Sequence, residues 1–277
     1  MLWPRGLSLD IEWEMKILFI GDVVGKPGRQ AVRDLVPTLI QEHNLDFVVA
    51  NGENSAGGAG LTPDTADELF AGGVDVITMG DHTWDQKDIL KIIDREPRLI
   101  RPANFPQGTP GIGAAVFDRE GQPGIAVLNL LGRTFMKPMD CPFHAAGEEV
   151  ERLRAQTPII IVDMHAEATS EKIAMGRFLD GKVSAVIGTH THVQTADEQI
   201  FPNGTAYLTD AGMVGPKESI LGREITPIIE RYLTQLPRRF QVAEGPVQFN
   251  GVIIEVDDIM GKATGIVRLT LVHSLSS

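Results

Sequence analysis

Five short apolar runs in this chain each stop at a residue able to bind a cation, and that repetition limits the fold more than any other feature. Residues 17–20 run into Gly21-Asp22, residues 47–50 into Asn51-Gly52-Glu53, and residues 74–78 into Met79-Gly80-Asp81-His82. Further on, residues 159–162 run into Asp163-Met164-His165, and residues 185–187 into Gly188-Thr189-His190-Thr191-His192. Largely apolar runs of this length, joined by a sixth at 125–130, are those of strands buried on both faces. Between several of them lie stretches of helical period, residues 28–43 and 62–71. The second opens with Thr62-Pro63-Asp64, a capping threonine ahead of a proline in the first turn. Strand and helix alternate, so the chain is α/β. The carboxyl ends of strands in such sheets share one edge, which lets side chains spread from position 22 to position 192 meet in one crevice.

The tail departs from this alternation. Residues 249–256 and 264–272 both read as strands, joined through Asp257-Asp258 and Gly261-Lys262 with no helix between them. An antiparallel hairpin makes the sheets mixed, and two sheets packed face to face fit better than one doubly wound parallel sheet. A chain of 277 residues can bury a large core as one domain. The sequence Met15-Lys16-Ile17-Leu18 reads as a natural start feeding the first strand. Residues 1–14 are therefore expected to be an extension that the fold does not need, ahead of a single domain at 15–277. Cys141 is the only cysteine, which excludes an internal disulfide and fits a reducing, cytoplasmic setting. No apolar run is long enough to span a membrane. A formal net charge of -12 disfavours an extended nucleic-acid surface or an anionic membrane as partner. A small phosphorylated substrate stays open, because bound cations reverse the local field. A homo-oligomer is compatible with all of this.

His190 and His192, two residues apart just after a buried strand, can turn to one side of a tight loop. Joined by Asp22 and Glu53 at equivalent strand ends, they form a mixed nitrogen and oxygen donor set suited to transition metals. Asp81-His82 places a ligand beside a proton donor. Read alone, Asp81 serves equally as cap for a helix starting near residues 85–88, and His82 as a surface imidazole. Other chemistries fall away. His165-Ala166-Glu167 is half of a zinc deaminase signature whose Pro-Cys-x-x-Cys half is missing, and no His-Glu-x-x-His helix is present. The glycines of residues 21–28 lack the Lys-Ser or Lys-Thr ending of a phosphate loop, and Asp22 would repel a pyrophosphate.

Taken in order, Asp22-Val23-Val24, Gly52-Glu53-Asn54, Gly80-Asp81-His82, His165 and Gly188-Thr189-His190-Thr191-His192 resemble the blocks of the calcineurin-like metallophosphoesterases. Four longer stretches, residues 21–29, 51–57, 165–172 and 209–216, are similar to the bacterial YmdB-like branch typified by cyclic-nucleotide phosphodiesterases. The resemblance runs from about Met15 to the C-terminus. It implies a four-layer α-β-β-α sandwich of two mixed sheets. It also implies a dimetal phosphohydrolase, in the first place a 2′,3′-cyclic-nucleotide phosphodiesterase with phosphomonoesterase activity beside it; the rival is a metal-binding regulator or scaffold without turnover. On this resemblance one ion falls to Asp22, Glu53 and His192, and the other to Glu53, Asp81, His165 and His190, with Glu53 bridging. Iron or manganese suits those donors best, with zinc or magnesium next. The ion pair would ionise a water and clamp the phosphate for in-line attack. His82 would then protonate the leaving alkoxide, and Asn54 would touch the phosphate or a metal. Three residues depart from the superfamily pattern: Val24 in place of a histidine, Glu53 in place of a bridging aspartate, and Asp81 in place of an asparagine. The last adds a negative charge.

Overall fold

The computed structural model describes residues 14–119 and 121–274. Residues 1–13 of the expected extension lie outside that range, while Glu14 opens the first strand, Glu14–Ile20.

The apolar runs are buried on both faces because each separates two different layers. In Glu14–Ile20, Ile17 and Phe19 point towards Val127, Ile159, Ile161 and Ile187 of a second sheet. Leu18 and Ile20 point the opposite way, onto Val32, Val36 and Leu69 of two outer helices, Gly25–His43 and Pro63–Ala71. The second sheet repeats this alternation with period two. Ile159 and Ile161 face inward, whereas Ile160 and Val162 face Ala146, Val150 and Met175. Those residues belong to the helices Pro142–Arg154 and Thr169–Phe178. The result is the expected order of helix, sheet, sheet and helix.

Both sheets are mixed. In the first, of eight strands, Glu14–Ile20 runs parallel to Phe47–Asn51, which is parallel to Val76–Thr78. On its other side Glu14–Ile20 pairs antiparallel with Val247–Asp257. That strand forms the expected hairpin with Ala263–His273, with a register shift between Glu255 and Val256. The second sheet has six strands, of which Gln122–Leu131, Ile159–His165 and Ala185–Thr189 are consecutive parallel neighbours.

Local chemistry sets the ends of these elements. Thr62 and Thr65 form a reciprocal capping box at the start of Pro63–Ala71, as the Thr-Pro signal predicts. The helix expected from residue 28 begins three residues earlier and carries Pro37 within it. The strand expected over 74–78 is shorter, Val76–Thr78. Near residues 85–88 the chain forms a short 3-10 helix, Lys87–Lys91, whose N-terminal residue Gln86 makes no side-chain cap. Asp81 therefore caps nothing there, and its carboxylate is turned to histidines instead. Among the described residues no helix is long and apolar enough to cross a membrane.

Candidate metal centre

The candidate ligands gather where both sheets end on the same side of the sandwich. Asp22, Glu53 and Asp81 come from segments that follow strands of the first sheet; His165, His190 and His192 come from the second. The crevice thus lies across two sheets and not along the edge of one. Gly80 permits the close approach. A β-carbon there would collide with His165 Nε2 and Glu53 Oε2, so the cluster rests directly against the Gly80 backbone.

One half of the cluster consists of Glu53, Asp81, His165 and His190, each offering an atom within 4.8 Å of the others. His165 Nε2 lies 2.9 Å from Glu53 Oε1 and 3.3 Å from Asp81 Oδ1, and 3.1 Å from His190 Nδ1. The other half is Asp22 and His192, whose Nε2 is 3.5 Å from Asp22 Oδ1. Asn54 joins the halves: its Nδ2 lies 3.4 Å from Asp22 Oδ1, 3.4 Å from Glu53 Oε1 and 3.3 Å from His192 Nε2. His82 stands beside them. Its backbone N–H donates to Glu53 Oε2 at 3.0 Å, while its ring Nδ1 is 2.7 Å from Asp85 Oδ2. Val24, where the superfamily has a histidine, is buried and would block a β-carbon on Gly222 at 2.6 Å.

All three imidazoles are held by the nitrogen that faces away from the cluster. His192 Nδ1 lies 3.3 Å from the carbonyl of Leu221, and His190 Nε2 lies 3.1 Å from Glu167 Oε2. His165 Nδ1 lies 2.8 Å from Thr189 Oγ1. The Thr189 hydroxyl gives its one proton to Asp163 Oδ1 at 2.6 Å, so it accepts from His165 Nδ1–H and, in the neutral ring, leaves Nε2 bare towards the carboxylates. An outer acceptor fixing the tautomer and an inner nitrogen facing carboxylate oxygens is the arrangement of histidine ligands in metal sites. The donor set therefore fits metal ions.

Sequence reasoning does not find the groups that hold this geometry. Asp163 is buried and also accepts from Thr78 Oγ1 at 2.5 Å and Asn51 Nδ2 at 3.2 Å, both in the first sheet. Lys172 and Asp210 form a fully buried ion pair, Nζ to Oδ2 at 2.7 Å. Asp210 Oδ2 also accepts from the backbone N–H of Thr191 at 3.1 Å and from its hydroxyl at 2.7 Å. Thr191 sits between His190 and His192, whose φ values are 97° and 65°. Non-glycine residues at positive φ are uncommon and need such support. Their signal in the sequence is faint: Lys172 and Asp210 fall inside the stretches 165–172 and 209–216, but neither has the look of a ligand. Glu167 enters the sequence reading only as part of an incomplete deaminase signature.

Charge within the cluster is tightly coupled. Burial resists ionisation of Asp22 and Asp81, but His192 beside the first, and His165 and His190 beside the second, hold both carboxyls below the usual range. Burial likewise disfavours the protonated forms of His165 and His192; Glu53 outweighs it for the former and Asp22 for the latter, raising both above the ordinary histidine value. Burial pushes Asp163 up to about 6. Because the folded values of His165 and His192 are raised, their stabilising contribution to the metal-free fold is full below about pH 6.5 and is lost as pH rises through the raised values.

Two outcomes follow. Binding of Mn²⁺ must displace those protons, so affinity should increase with pH, and calorimetry in two buffers of different ionisation enthalpy should register net proton release at neutral pH. Equal heats in both buffers, once corrected for dilution, would contradict the coupling. Lys172→Met should strand the Asp210 carboxylate and lower stability by about 3–5 kcal/mol, read from urea denaturation. A Lys172→Met, Asp210→Asn double variant should recover much of that loss.

The family described as YmdB-like protein matches residues 18–269 of this chain. The 2′,3′-cyclic-nucleotide 2′-phosphodiesterase of Bacillus subtilis (strain 168) is 52% identical over 257 residues, covering 93% of this chain and 97% of that protein. Among solved structures, a phosphatase from Mycoplasma pneumoniae superposes with a TM-score of 0.89 at 36% identity, covering 94% of each chain. A protein from Thermus thermophilus superposes with a TM-score of 0.87 at 39% identity, covering 93% of this chain and 99% of the other.

Proposed function

The chain belongs to the YmdB-like family, and from that premise we propose that it is a metal-dependent phosphoric ester hydrolase acting on 2′,3′-cyclic nucleotides. The observation that carries this reading is the convergence of three carboxylates and three outwardly fixed imidazoles, with Glu53 placed between the two halves. Bound metal ions at such a set polarise a phosphoryl oxygen and lower the pKa of water to near neutrality. Nitrogen and carboxylate donors together favour iron or manganese.

The protein's own groups account for the rest. Asp22, Glu53 and His192 would hold one ion, and Glu53, Asp81, His165 and His190 the other. Asn54 lies between the halves, where its amide would contact a bound phosphate or an ion. Asp85 occupies His82 Nδ1, which leaves Nε2 as the atom that carries a proton into the cavity. In the reaction the oxygen of water joins phosphorus and gives its proton to solvent, the bond from phosphorus to O2′ breaks, O2′ takes the proton from His82, and His82 is reprotonated from solvent. The product is the 3′-monophosphate. The B. subtilis relative's name supports the choice of the 2′ bond.

The monoesterase reading draws on the phosphatase from M. pneumoniae. A panel of cyclic nucleotides and nucleoside monophosphates, assayed on one manganese-loaded preparation, separates the two.

Glu53→Gln should lower turnover by at least about a hundredfold and reduce bound metal, since a neutral amide bridges two cations poorly. Full metal content with retained turnover would remove Glu53 from the bridge. His82→Ala should leave metal content intact and cost about 10²–10⁴-fold in turnover for a poor leaving group. The loss should shrink for a nitrophenyl ester, whose nitrophenoxide leaves without needing a proton. An equal loss across leaving groups would exclude the proton-donor role.

A further inference from the structure

The cluster forms one wall of a cavity of about 630 Å³, and the opposite wall carries none of the candidate ligands. That wall is built by the helix Ile225–Thr234 and the residue that ends it. Ile228, Arg231 and Tyr232 line the cavity, their spacing of three and four placing them on one helical face; Gln235, the left-handed residue that ends the helix, lines it beyond them with its Nε2 donating to the Tyr232 carbonyl at 3.2 Å. Phe240 continues the wall, with the Arg231 guanidinium 5.4 Å from its ring centroid. Tyr232 is 77% exposed although it borders a cavity, so its ring is open to a ligand.

This volume lies in the range of pockets that enclose whole small organic ligands, and a phosphate at the cluster fills only the end of it. The lining is equally particular. An aromatic face, a planar cation and an amide oxygen that accepts are groups that recognise a flat heterocycle by stacking and by hydrogen bonds to its edge. A simple phosphomonoester would leave the aromatic face and the amide unused.

The geometry points to a nucleobase subsite on this helix face, in which Tyr232 stacks on the base and Gln235 meets its polar edge. This inference rests on the phosphodiesterase reading and deepens it. The phosphate is fixed by the cluster and the base by the opposite wall, so the helix selects nucleotides over other cyclic phosphates.

The test compares wild type, Tyr232→Ala and Tyr232→Phe, each loaded with manganese. Two substrates are used: 2′,3′-cyclic AMP and glycerol 1,2-cyclic phosphate, a five-membered cyclic diester with no base. Tyr232→Ala should lower the ratio of kcat/KM for the nucleotide over the base-free diester by about ten- to a hundredfold, chiefly through KM. Tyr232→Phe, which keeps the stacking face, should restore the ratio. An equal loss on both substrates, or no loss on either, overturns the subsite. A second arm needs no turnover: calorimetric titration of 3′-AMP should show the same ten- to a hundredfold weakening in Tyr232→Ala, and equal affinity overturns the inference. Wild-type enzyme that binds 3′-AMP through Tyr232 but cleaves neither diester would count against the hydrolase reading and leave the subsite standing.

Discussion

One buried carboxylate ties the two sheets together at the place where the chemistry is expected. Asp163 receives Thr78 and Asn51 from the first sheet and Thr189 from the second. An aspartate without partners would be costly in such an interior. Here three neutral donors satisfy it, and in doing so they join layers whose interface is otherwise mainly apolar, with Asn129 Nδ2 donating to the Met79 carbonyl as a second polar tie. Through the Thr189 hydroxyl it also decides which nitrogen of His165 is free. Packing and protonation are thus set by the same bonds, and a shift between the sheets would change both.

The same economy appears on the opposite flank of His190. Lys172 neutralises Asp210, whose Oδ2 also accepts from Thr191 and whose Oδ1 accepts from the Gly212 N–H. A buried ion pair is weak evidence for stability, because the desolvation of both partners offsets their attraction. Its value here lies in direction: it leaves a carboxylate oxygen in a fixed position under a loop that needs two N–H and O–H donors satisfied.

Much of this was legible in the sequence, and the reason is physical. Strands buried on both faces must be apolar throughout, so residues 17–20, 47–50 and 159–162 stand out from the amphipathic stretches around them. Ligands stand out because a carboxylate or imidazole directly after such a run has no place in the core and must serve the sheet edge. The hairpin near the C-terminus was readable for the same reason, its two long strands having no helical period between them. What escaped the sequence was long-range or conformational. No local pattern says that Asp163, on a buried strand, reaches across to Thr78 and Asn51. Nor does Lys172 advertise its burial, since a lysine in a helix is ordinarily at the surface. The division of ligands between two sheets was also invisible, because strand order is not written in strand composition.

The left-handed backbone at His190 and His192 carries a consequence for how such a centre can fail. Each residue held there costs roughly 1–3 kcal/mol relative to a relaxed conformation, and the bonds from Asp210 to Thr191 restrain the segment against that tendency. The loop resembles a sprung catch more than a hinge. Damage beneath it would loosen both imidazoles together, so the loss of a single remote hydrogen bond would be felt by both halves of the cluster.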